Sequence, residues 1–221
     1  MKYDCILLAG GSGERMGLEY NKVLYLVKKK KELFRYSLEY FLKDNDCENI
    51  ILVANHTDME YFWDNILDKK VTITEGGHSR SESVKAGLSL VKNDYVLIHD
   101  SARPLIYKED VKLLLDEAIK YGGATLANRV FNTVSLVNDR GDVKEYLDRD
   151  MLASIITPQA FYAPMLKACY AKLGNESYPD DTHVFLLNGR SVKVVYTDNI
   201  SIKATKQSDL KLLEALLKWW E

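Results

Sequence analysis

The chain has 221 residues, a formal net charge of −2 and 47% hydrophobic residues. This length and composition predict one large globular domain with a sizeable core. The small net charge gives no basic surface for a nucleic acid, and no apolar run reaches the roughly 18 residues of a membrane helix. Three cysteines at unrelated spacings, with no signal peptide, favour a reducing cytoplasm.

Short apolar runs alternate with amphipathic stretches along the chain. Strands are predicted at residues 3–9, 49–54, 71–74, 95–99, 124–129 and 192–196, and helices at residues 33–42, 59–67, 81–91, 108–121 and 210–220. This alternation predicts an α/β fold, a Rossmann-like, mostly parallel sheet with helices on both faces. Ligands of such sheets bind at the carboxyl ends of the strands, so the loops after strands should carry the chemistry.

The first predicted strand runs directly into a glycine-rich turn, Gly10 to Gly17. Glycines let backbone N–H groups crowd an anion at the start of a helix, which predicts a phosphate-binding loop. The third glycine of a dinucleotide fold and the Gly-Lys-Ser/Thr of a P-loop are both missing. Arg15 and Lys22 follow as cations that can neutralise a phosphoryl group, and they favour an enzyme acting on a nucleoside triphosphate over two surface charges.

Two further loops follow predicted strands. Residues 75–84 contain paired glycines and several serines, which suit a base or a ribose, or else form a plain capped turn with Ser81 or a neighbour as N-cap. The run His99 to Pro104 places a histidine, a carboxylate and an arginine at a strand end. Asp100 could hold a ribose hydroxyl or a metal-bound water, and Arg103 a phosphate. The alternative is an internal network that only holds the loop.

Residues 133–143 break the α/β order. Alternating apolar residues flank an Asn-Asp-Arg-Gly-Asp turn, which predicts an inserted β-hairpin. A two-stranded ribbon alone is marginal in water, so we expect it to pack against the same arm of a second subunit. Residues 1–221 are therefore expected to form a single domain with a protruding dimerisation arm at about residues 130–152.

The motifs together resemble a known family. The glycine turn, Asn21-Lys22, Gly76-Gly77 through Ser83, the run His99 to Pro104 and Thr157-Pro158-Gln159 are similar to the 2-C-methyl-D-erythritol 4-phosphate cytidylyltransferases. The resemblance covers essentially the whole chain. It implies an enzyme of isoprenoid biosynthesis that transfers CMP from CTP to 2-C-methyl-D-erythritol 4-phosphate with Mg²⁺ and releases pyrophosphate. The similar ribitol-5-phosphate cytidylyltransferases are the alternative, and a non-catalytic nucleotide-binding protein is a more distant one.

The resemblance also implies roles for individual residues. Catalysis would depend on Arg15, Lys22, Arg149 and Lys203. The nucleotide would be bound by Ala9, Gly10, Gly11, Gly13, Gly77, Ser83, Asp100 and Ser101, with Asp100 also a candidate for Mg²⁺. The sugar-alcohol phosphate would be bound by Arg103, Thr133, Arg149, Thr157 and Lys203. In a homodimer with exchanged arms, Thr133 and Arg149 would reach the neighbouring subunit's site.

The chain departs from the family's pattern on the side of the second substrate. Residues 129–133 read Arg-Val-Phe-Asn-Thr, where the family usually has Pro-Val-x-Asp-Thr. Residues 179–183 read Pro-Asp-Asp-Thr-His, where it usually has Thr-Asp-Asp/Glu-Ala-Ser, and the segment 198–203 is longer than usual. These differences bear on the identity of the alcohol phosphate more than on the use of CTP.

Overall fold

A computed structural model of the protein describes residues 1–11, 13, 16–174 and 176–219. Its strands, in chain order, are β1 (Tyr3–Leu8), β2 (Leu26–Val27), β3 (Lys31–Glu32), β4 (Cys47–Ala54), β5 (Val71–Glu75), β6 (Tyr95–Asp100), β7 (Gly123–Arg129), β8 (Val134–Val137), β9 (Val143–Leu147), β10 (Ala153–Tyr162) and β11 (Lys193–Tyr196). Seven of them form one sheet in the order β11-β7-β10-β6-β1-β4-β5. All its strands run in one direction except β10, which is antiparallel to both neighbours.

Helices cover both faces of this sheet. They are α1 (Leu33–Lys43), α2 (Met59–Asn65), α3 (Arg80–Leu90), α4 (Lys108–Tyr121), α5 (Ala163–Ala171), α6 (Asp181–Leu187) and α7 (Gln207–Leu216). Successive residues of a strand point to opposite faces, so Cys5 and Leu7 pack with α1, α2, α4 and α7, whereas Ile6 packs with α3, α5 and α6. The predicted α/β fold with a mostly parallel, doubly covered sheet is confirmed. No helix within the described residues is long and apolar enough to span a bilayer.

The six predicted strands and five predicted helices are present, but β2, β3, β10, α5 and α6 were not predicted. The ladder of β10 shifts register between Ile156 and Gln159, where a cis Thr157-Pro158 peptide interrupts the pairing with β7. A proline inside an apolar run argues against a central strand in a sequence. This proline is the physical reason why the apolar pattern around β10 does not by itself predict a strand.

A separate antiparallel ladder joins β8 and β9, with Val134 opposite Leu147. Apart from its partly buried ends, this hairpin is exposed. The short strands β2 and β3 form a second small sheet beside α1. Because β1, β4, β5 and β6 are parallel, their carboxyl ends meet at one edge of the main sheet. The loops that follow them are therefore neighbours in space.

Candidate active site

A cleft of about 310 Å³ lies at the carboxyl ends of these strands. It is lined by Leu8, Gly10, Gly11, Lys22, Val23, Gly77, His78, Ser79, Arg80, Ser83, Asp100, Ala102 and Lys203. Among these residues are three cations and one carboxylate. The structure therefore brings together residues from the two glycine loops, the end of β6 and the segment after β11, as expected for a ligand site of a parallel sheet.

The glycine turn after β1 packs tightly against its surroundings. A Cβ atom on Gly10 would lie 3.1 Å from the backbone nitrogen of Asn55. A Cβ atom on Gly13 would lie 2.1 Å from the carbonyl oxygen of Tyr20. Only a residue without a side chain fits at Gly13.

Lys22 begins a short 3-10 turn, Lys22–Leu24, whose N-cap is Asn21. The Asn21 side-chain amide donates a hydrogen bond of 2.5 Å to the carbonyl oxygen of Ala9, which fastens the turn to the end of β1. Lys22 is only 7% exposed, and its Nζ lies 3.9 Å from the place that a Cβ atom on Gly11 would take. The ammonium group therefore sits against the glycine turn. Arg15, the other predicted cation of this loop, lies outside the described residues.

The second glycine loop leads into α3. Ser79 is the N-cap and accepts the backbone N–H of Glu82 at 3.1 Å, while the Glu82 carboxylate accepts the N–H of His78 at 2.7 Å. The sequence placed the cap at Ser81 or a neighbour, and the structure assigns it to Ser79. Ser81 is buried and follows inside the helix, where its hydroxyl accepts a bond from outside α3. The cap orients the amino end of α3 beside the cleft, where its N–H groups favour an anion.

The paired glycines of this loop leave no room for side chains. A Cβ atom on Gly76 would lie 2.6 Å from the Ser83 hydroxyl, and one on Gly77 would lie 2.3 Å from the Cβ of Glu82. The Ser83 hydroxyl donates a long hydrogen bond of 3.4 Å to the Gly77 carbonyl oxygen. Backbone and one small hydroxyl thus form this wall of the cleft, which suits the edge of a flat base.

Asp100, the last residue of β6, lies between two cations. The Nζ of Lys203 is 2.6 Å from its Oδ2, and the Nε of Arg80 is 3.8 Å from its Oδ1. Burial by itself would raise the pKa of this carboxyl, but Lys203 and Arg80 outweigh burial and hold the pKa of Asp100 well below its usual range. Asp100 is therefore ionised at neutral pH.

Arg80 was not among the predicted site residues. Its Nη2 lies 2.7 Å from Oδ2 of Asp181, a fully buried residue at the start of α6. Burial opposes the charge on Arg80, but Asp181 and Asp100 outweigh it and raise the pKa of the guanidinium. Arg80 stands three residues after Gly77, so a search of that loop for cations could have found it. Asp181 belongs to an unpredicted helix, and the only signal for it was the departure from the family's pattern at residues 179–183.

His99 stabilises the loop after β6 through hydrogen bonds in the protein interior. Its Nε2 lies 2.9 Å from the carbonyl oxygen of Arg103, and its Nδ1 lies 3.3 Å from the hydroxyl of Thr157. That hydroxyl accepts the N–H of Asp100, so its own proton points to Nδ1, and the network assigns the ring proton to Nε2. Complete burial lowers the pKa of His99 to about 4. His99 is therefore a neutral structural residue, as the internal-network alternative predicted.

Besides Ala9 and Gly13 of the glycine turn, three predicted binding residues in the loop after β6 and in β10 do not line the cleft. The Thr157 hydroxyl is hydrogen-bonded to His99. Ser101 is fully buried, and its backbone N–H donates to the carbonyl oxygen of Leu8. The Arg103 guanidinium donates to the Ser201 hydroxyl at 3.3 Å, and burial lowers its pKa. Two buried polar atoms, the Ser101 hydroxyl and Arg103 Nε, have no hydrogen-bond partner among the described residues. The binding roles of these three residues stay predictions.

Comparison with known proteins gives a match over the whole chain. The family model described as 2-C-methyl-D-erythritol 4-phosphate cytidylyltransferase (IspD) matches residues 4–219. A relative of that name from Thermotoga neapolitana is 34% identical, covering 98% of this chain and 97% of the relative. One from Endomicrobium trichonymphae is also 34% identical, covering 99% of this chain and all of the relative. The chain belongs to this cytidylyltransferase family.

Solved structures agree with the assignment. The 4-diphosphocytidyl-2C-methyl-D-erythritol synthase of Anaerococcus prevotii has a TM-score of 0.85 and 27% identity, covering 98% of this chain and 96% of that one. The cytidylyltransferase structure from Thermus thermophilus, at 23% identity, has the same fold with a TM-score of 0.81. The resemblance that the sequence motifs indicated is confirmed.

In this member of the cytidylyltransferase family, two predicted site residues lie away from the cleft. Thr133 and Arg149 are exposed at the base of the hairpin formed by β8 and β9. The guanidinium of Arg149 donates to the carbonyl oxygen of Phe131 at 2.8 Å and lines a separate pocket with Arg129 and Tyr196. Neither Thr133 nor Arg149 lines the cleft of its own chain.

Proposed function

We propose that this protein transfers CMP from CTP to 2-C-methyl-D-erythritol 4-phosphate, a step of isoprenoid biosynthesis, and releases pyrophosphate. The family match over residues 4–219 supports this assignment. The observation that carries it in the structure is the meeting of Lys22, Arg80 and Lys203 in one cleft behind a glycine turn. Nucleotidyl transfer needs aligned reactants and neutralised charge more than covalent help from the protein, and this cleft offers both.

The reaction is a displacement at phosphorus. A phosphate oxygen of the acceptor forms a bond to the α-phosphorus of CTP, and the bond from that phosphorus to the oxygen bridging to the β-phosphorus breaks. The bridging oxygen leaves with the electron pair as part of pyrophosphate. The acceptor phosphate is already ionised near neutral pH, so no general base is needed. The neutral, fully buried His99 is consistent with this chemistry, because both its ring nitrogens are engaged in the loop.

The residues divide between the two substrates. The glycine turn with Gly10 and Gly11 takes the triphosphate, while Gly77 and Ser83 face the base. Lys22 lies against the turn and stabilises the negative charge that grows at the α-phosphate, together with Arg15 as the sequence predicts. Lys203, held by Asp100, is placed to bind the phosphate of the acceptor. Arg103 and Thr157 are still predicted to bind the acceptor, and Ser101 the nucleotide.

Mg²⁺ is the metal ion that we assign to the reaction. Among the described residues, no group of three or more histidine, cysteine or acidic side chains could hold a metal ion. Asp100 is the one carboxylate among the described residues that line the cleft. This donor set fits an ion bound mainly by phosphate oxygens, with Asp100 as the carboxylate able to approach it. When bound, the ion would neutralise charge on the triphosphate.

We further propose a homodimer in which the hairpins are exchanged, so that Thr133 and Arg149 complete the partner's site. The support is the exposed apolar surface of the arm: Phe131, Tyr146 and Met151 are 75%, 70% and 83% exposed. Exposed apolar patches of this kind are typical of protein interfaces. The rest of the chain would form one nucleotidyltransferase domain around the cleft.

We place this chemistry in the cytoplasm. Cys5, Cys47 and Cys169 are all free thiols and all buried. Free thiols persist in a reducing compartment, and this supports the placement.

An acceptor panel tests the function. The purified protein is incubated with CTP, Mg²⁺ and either 2-C-methyl-D-erythritol 4-phosphate or ribitol 5-phosphate, and pyrophosphate release is measured. We expect a higher kcat/KM with 2-C-methyl-D-erythritol 4-phosphate. A preference for ribitol 5-phosphate would reassign the acceptor. Binding of CTP without turnover on any acceptor would make the protein a nucleotide-binding protein instead of an enzyme.

A further inference from the structure

A line of alternating charges runs from the cleft into the protein. Lys203 contacts Asp100, Asp100 faces Arg80, and Arg80 contacts Asp181. The line ends at Tyr170 of α5, whose hydroxyl donates to Asp181 at 2.6 Å. Asp100 thus has two cationic neighbours, yet only one of them is in direct contact.

The distances show how the two cations are divided. The Nζ of Lys203 lies 2.6 Å from Asp100, whereas the nearest guanidinium nitrogen of Arg80 stays 3.8 Å away. The same guanidinium reaches to 2.7 Å from Asp181. Arg80 therefore pairs directly with Asp181 and stays at a longer distance from Asp100. Oδ2 of Asp100 is in direct contact with Lys203.

We propose that Asp181 is a positioning residue for the acceptor side of the cleft, because it holds Arg80 and so leaves Asp100 free to place Lys203. This inference rests on the proposed function, in which Lys203 binds the acceptor phosphate. Asp181 itself is fully buried, and among the described residues its hydrogen bonds reach the cleft lining only at Arg80.

Asp181 is well suited to this role because its own position is fixed. Its Oδ2 accepts from Arg80, its Oδ1 accepts from the Tyr170 hydroxyl, and its backbone N–H donates to the side-chain oxygen of Gln159 at 3.2 Å. Gln159 belongs to β10 and is fully buried. The carboxylate is therefore held by α5, and the backbone of the same residue is held by the central sheet.

Removing the charge of Asp181 has a definite physical consequence. A largely buried guanidinium without a carboxylate partner is costly, so Arg80 would move to the next carboxylate within reach. That carboxylate is Asp100, which would then pair with Arg80 in competition with Lys203. The expected result is a displaced Lys203 and weaker binding of the acceptor.

The test is a double-mutant cycle on the active full-length enzyme. Asp181→Asn should raise the KM for the acceptor about tenfold, the size typical of residues that act through a network, with the change in kcat smaller than this. In a Lys203→Met background, the same substitution should change the acceptor kcat/KM by less than about twofold, because the group through which it acts is gone. A full tenfold effect in that background would overturn the proposal.

Two further variants keep the test decisive. Asp4→Asn is the matched control, because Asp4 is also fully buried and hydrogen-bonded but lies at the amino end of β1, away from the cleft. It should leave the acceptor KM unchanged. If Asp181→Asn does not fold, Tyr170→Phe removes one donor to Asp181 without changing a charge and should raise the acceptor KM about threefold.

The outcomes separate the possibilities. A folded Asp181→Asn or Tyr170→Phe variant with lower thermal stability but unchanged KM would make this network purely structural and overturn the proposal. An equal rise of KM in Asp4→Asn would also overturn it. If the wild-type enzyme shows no turnover on the acceptor at all, it is the proposed function that fails, and CTP binding shows whether the nucleotide side remains.

Discussion

The Nζ of Lys203 and the Oδ2 of Asp100 lie 2.6 Å apart, although 103 positions separate the two residues in the chain. Asp100 ends a central strand, and Lys203 lies in the segment between β11 and α7. Both residues line the cleft. The two halves of the site, one with Lys22 and one with Lys203, are therefore positioned by different parts of the fold and can be tested separately.

Lys22 is expected to act on the chemical step. Lys22→Ala removes a preorganised positive charge beside the triphosphate turn, and kcat should fall at least about a hundredfold, while the Kd for CTP changes less. Steady-state kinetics and calorimetric CTP binding measure the two effects. Lys30→Ala is the control, because Lys30 lies exposed in the turn between β2 and β3 and should leave kcat within about twofold. Near-normal turnover of Lys22→Ala would contradict its assignment.

Gly77 is expected to be essential for the wall of the cleft that faces the base of the nucleotide. In Gly77→Ala, the new Cβ would meet the Cβ of Glu82 at 2.3 Å, so the loop that faces the base must move. We expect CTP affinity to fall at least about tenfold, as is usual when a tightly packed site receives an extra methyl group. Gly174→Ala is the matched control, since a Cβ there meets nothing within 4 Å. Unchanged CTP affinity in Gly77→Ala would show that this loop does not contact the nucleotide.

Most of the strands that could be predicted from the sequence contain a short contiguous apolar run. β1 and β6 are buried on both faces, and each has such a run, Cys5 to Leu8 in β1 and Tyr95 to Ile98 in β6. β10 is equally buried over its second half, but Thr157-Pro158 interrupts its pattern. The helix α6 begins with three polar residues, and its four apolar residues are contiguous, so they show no helical period.

The residues of the candidate site could be predicted where they lie in a loop directly after a predicted strand. The glycine turn, Lys22 and Asp100 could be found because parallel strands collect their ends at one edge. Lys203 came from the family resemblance alone. The contact of Arg80 with Asp181 spans 101 positions and depends on how α6 packs, so only the tertiary structure shows it.

His99 is expected to stay neutral across the physiological range. Its folded pKa of about 4 lies below the ordinary value of 6.5, so the unfolded chain binds more protons between these values. The contribution of neutral His99 to the free energy of unfolding is complete above pH 6.5. It falls by about 3 kcal/mol as the pH is lowered toward 4. Denaturation of the wild type and His99→Gln at pH 7 and pH 4 measures the difference. NMR of the ring nitrogens should show the neutral Nε2–H form at pH 5.5, and an imidazolium there would contradict the network described.

Exchange of the hairpins makes a prediction about mixed dimers. Lys22→Ala disables the cleft of its own chain, whereas Arg149→Ala disables the cleft of the partner. Each variant alone should be at least about tenfold less active than the wild type. When the two are mixed and allowed to exchange subunits, half of the dimers contain one intact site, and about a quarter of the wild-type activity should return. If no activity returns, Arg149 acts within its own chain or not at all.

The most direct measurement follows the phosphorus atoms of the reaction. Wild-type protein is incubated with CTP, Mg²⁺ and 2-C-methyl-D-erythritol 4-phosphate labelled with ¹⁸O in its phosphate, and the products are examined by ³¹P NMR. The account predicts unlabelled pyrophosphate and a new diphosphate with two coupled resonances, in which ¹⁸O occupies the bridge between the phosphorus atoms. Label in the released pyrophosphate, or unchanged CTP beside unreacted acceptor, would contradict the transfer of CMP to the acceptor phosphate.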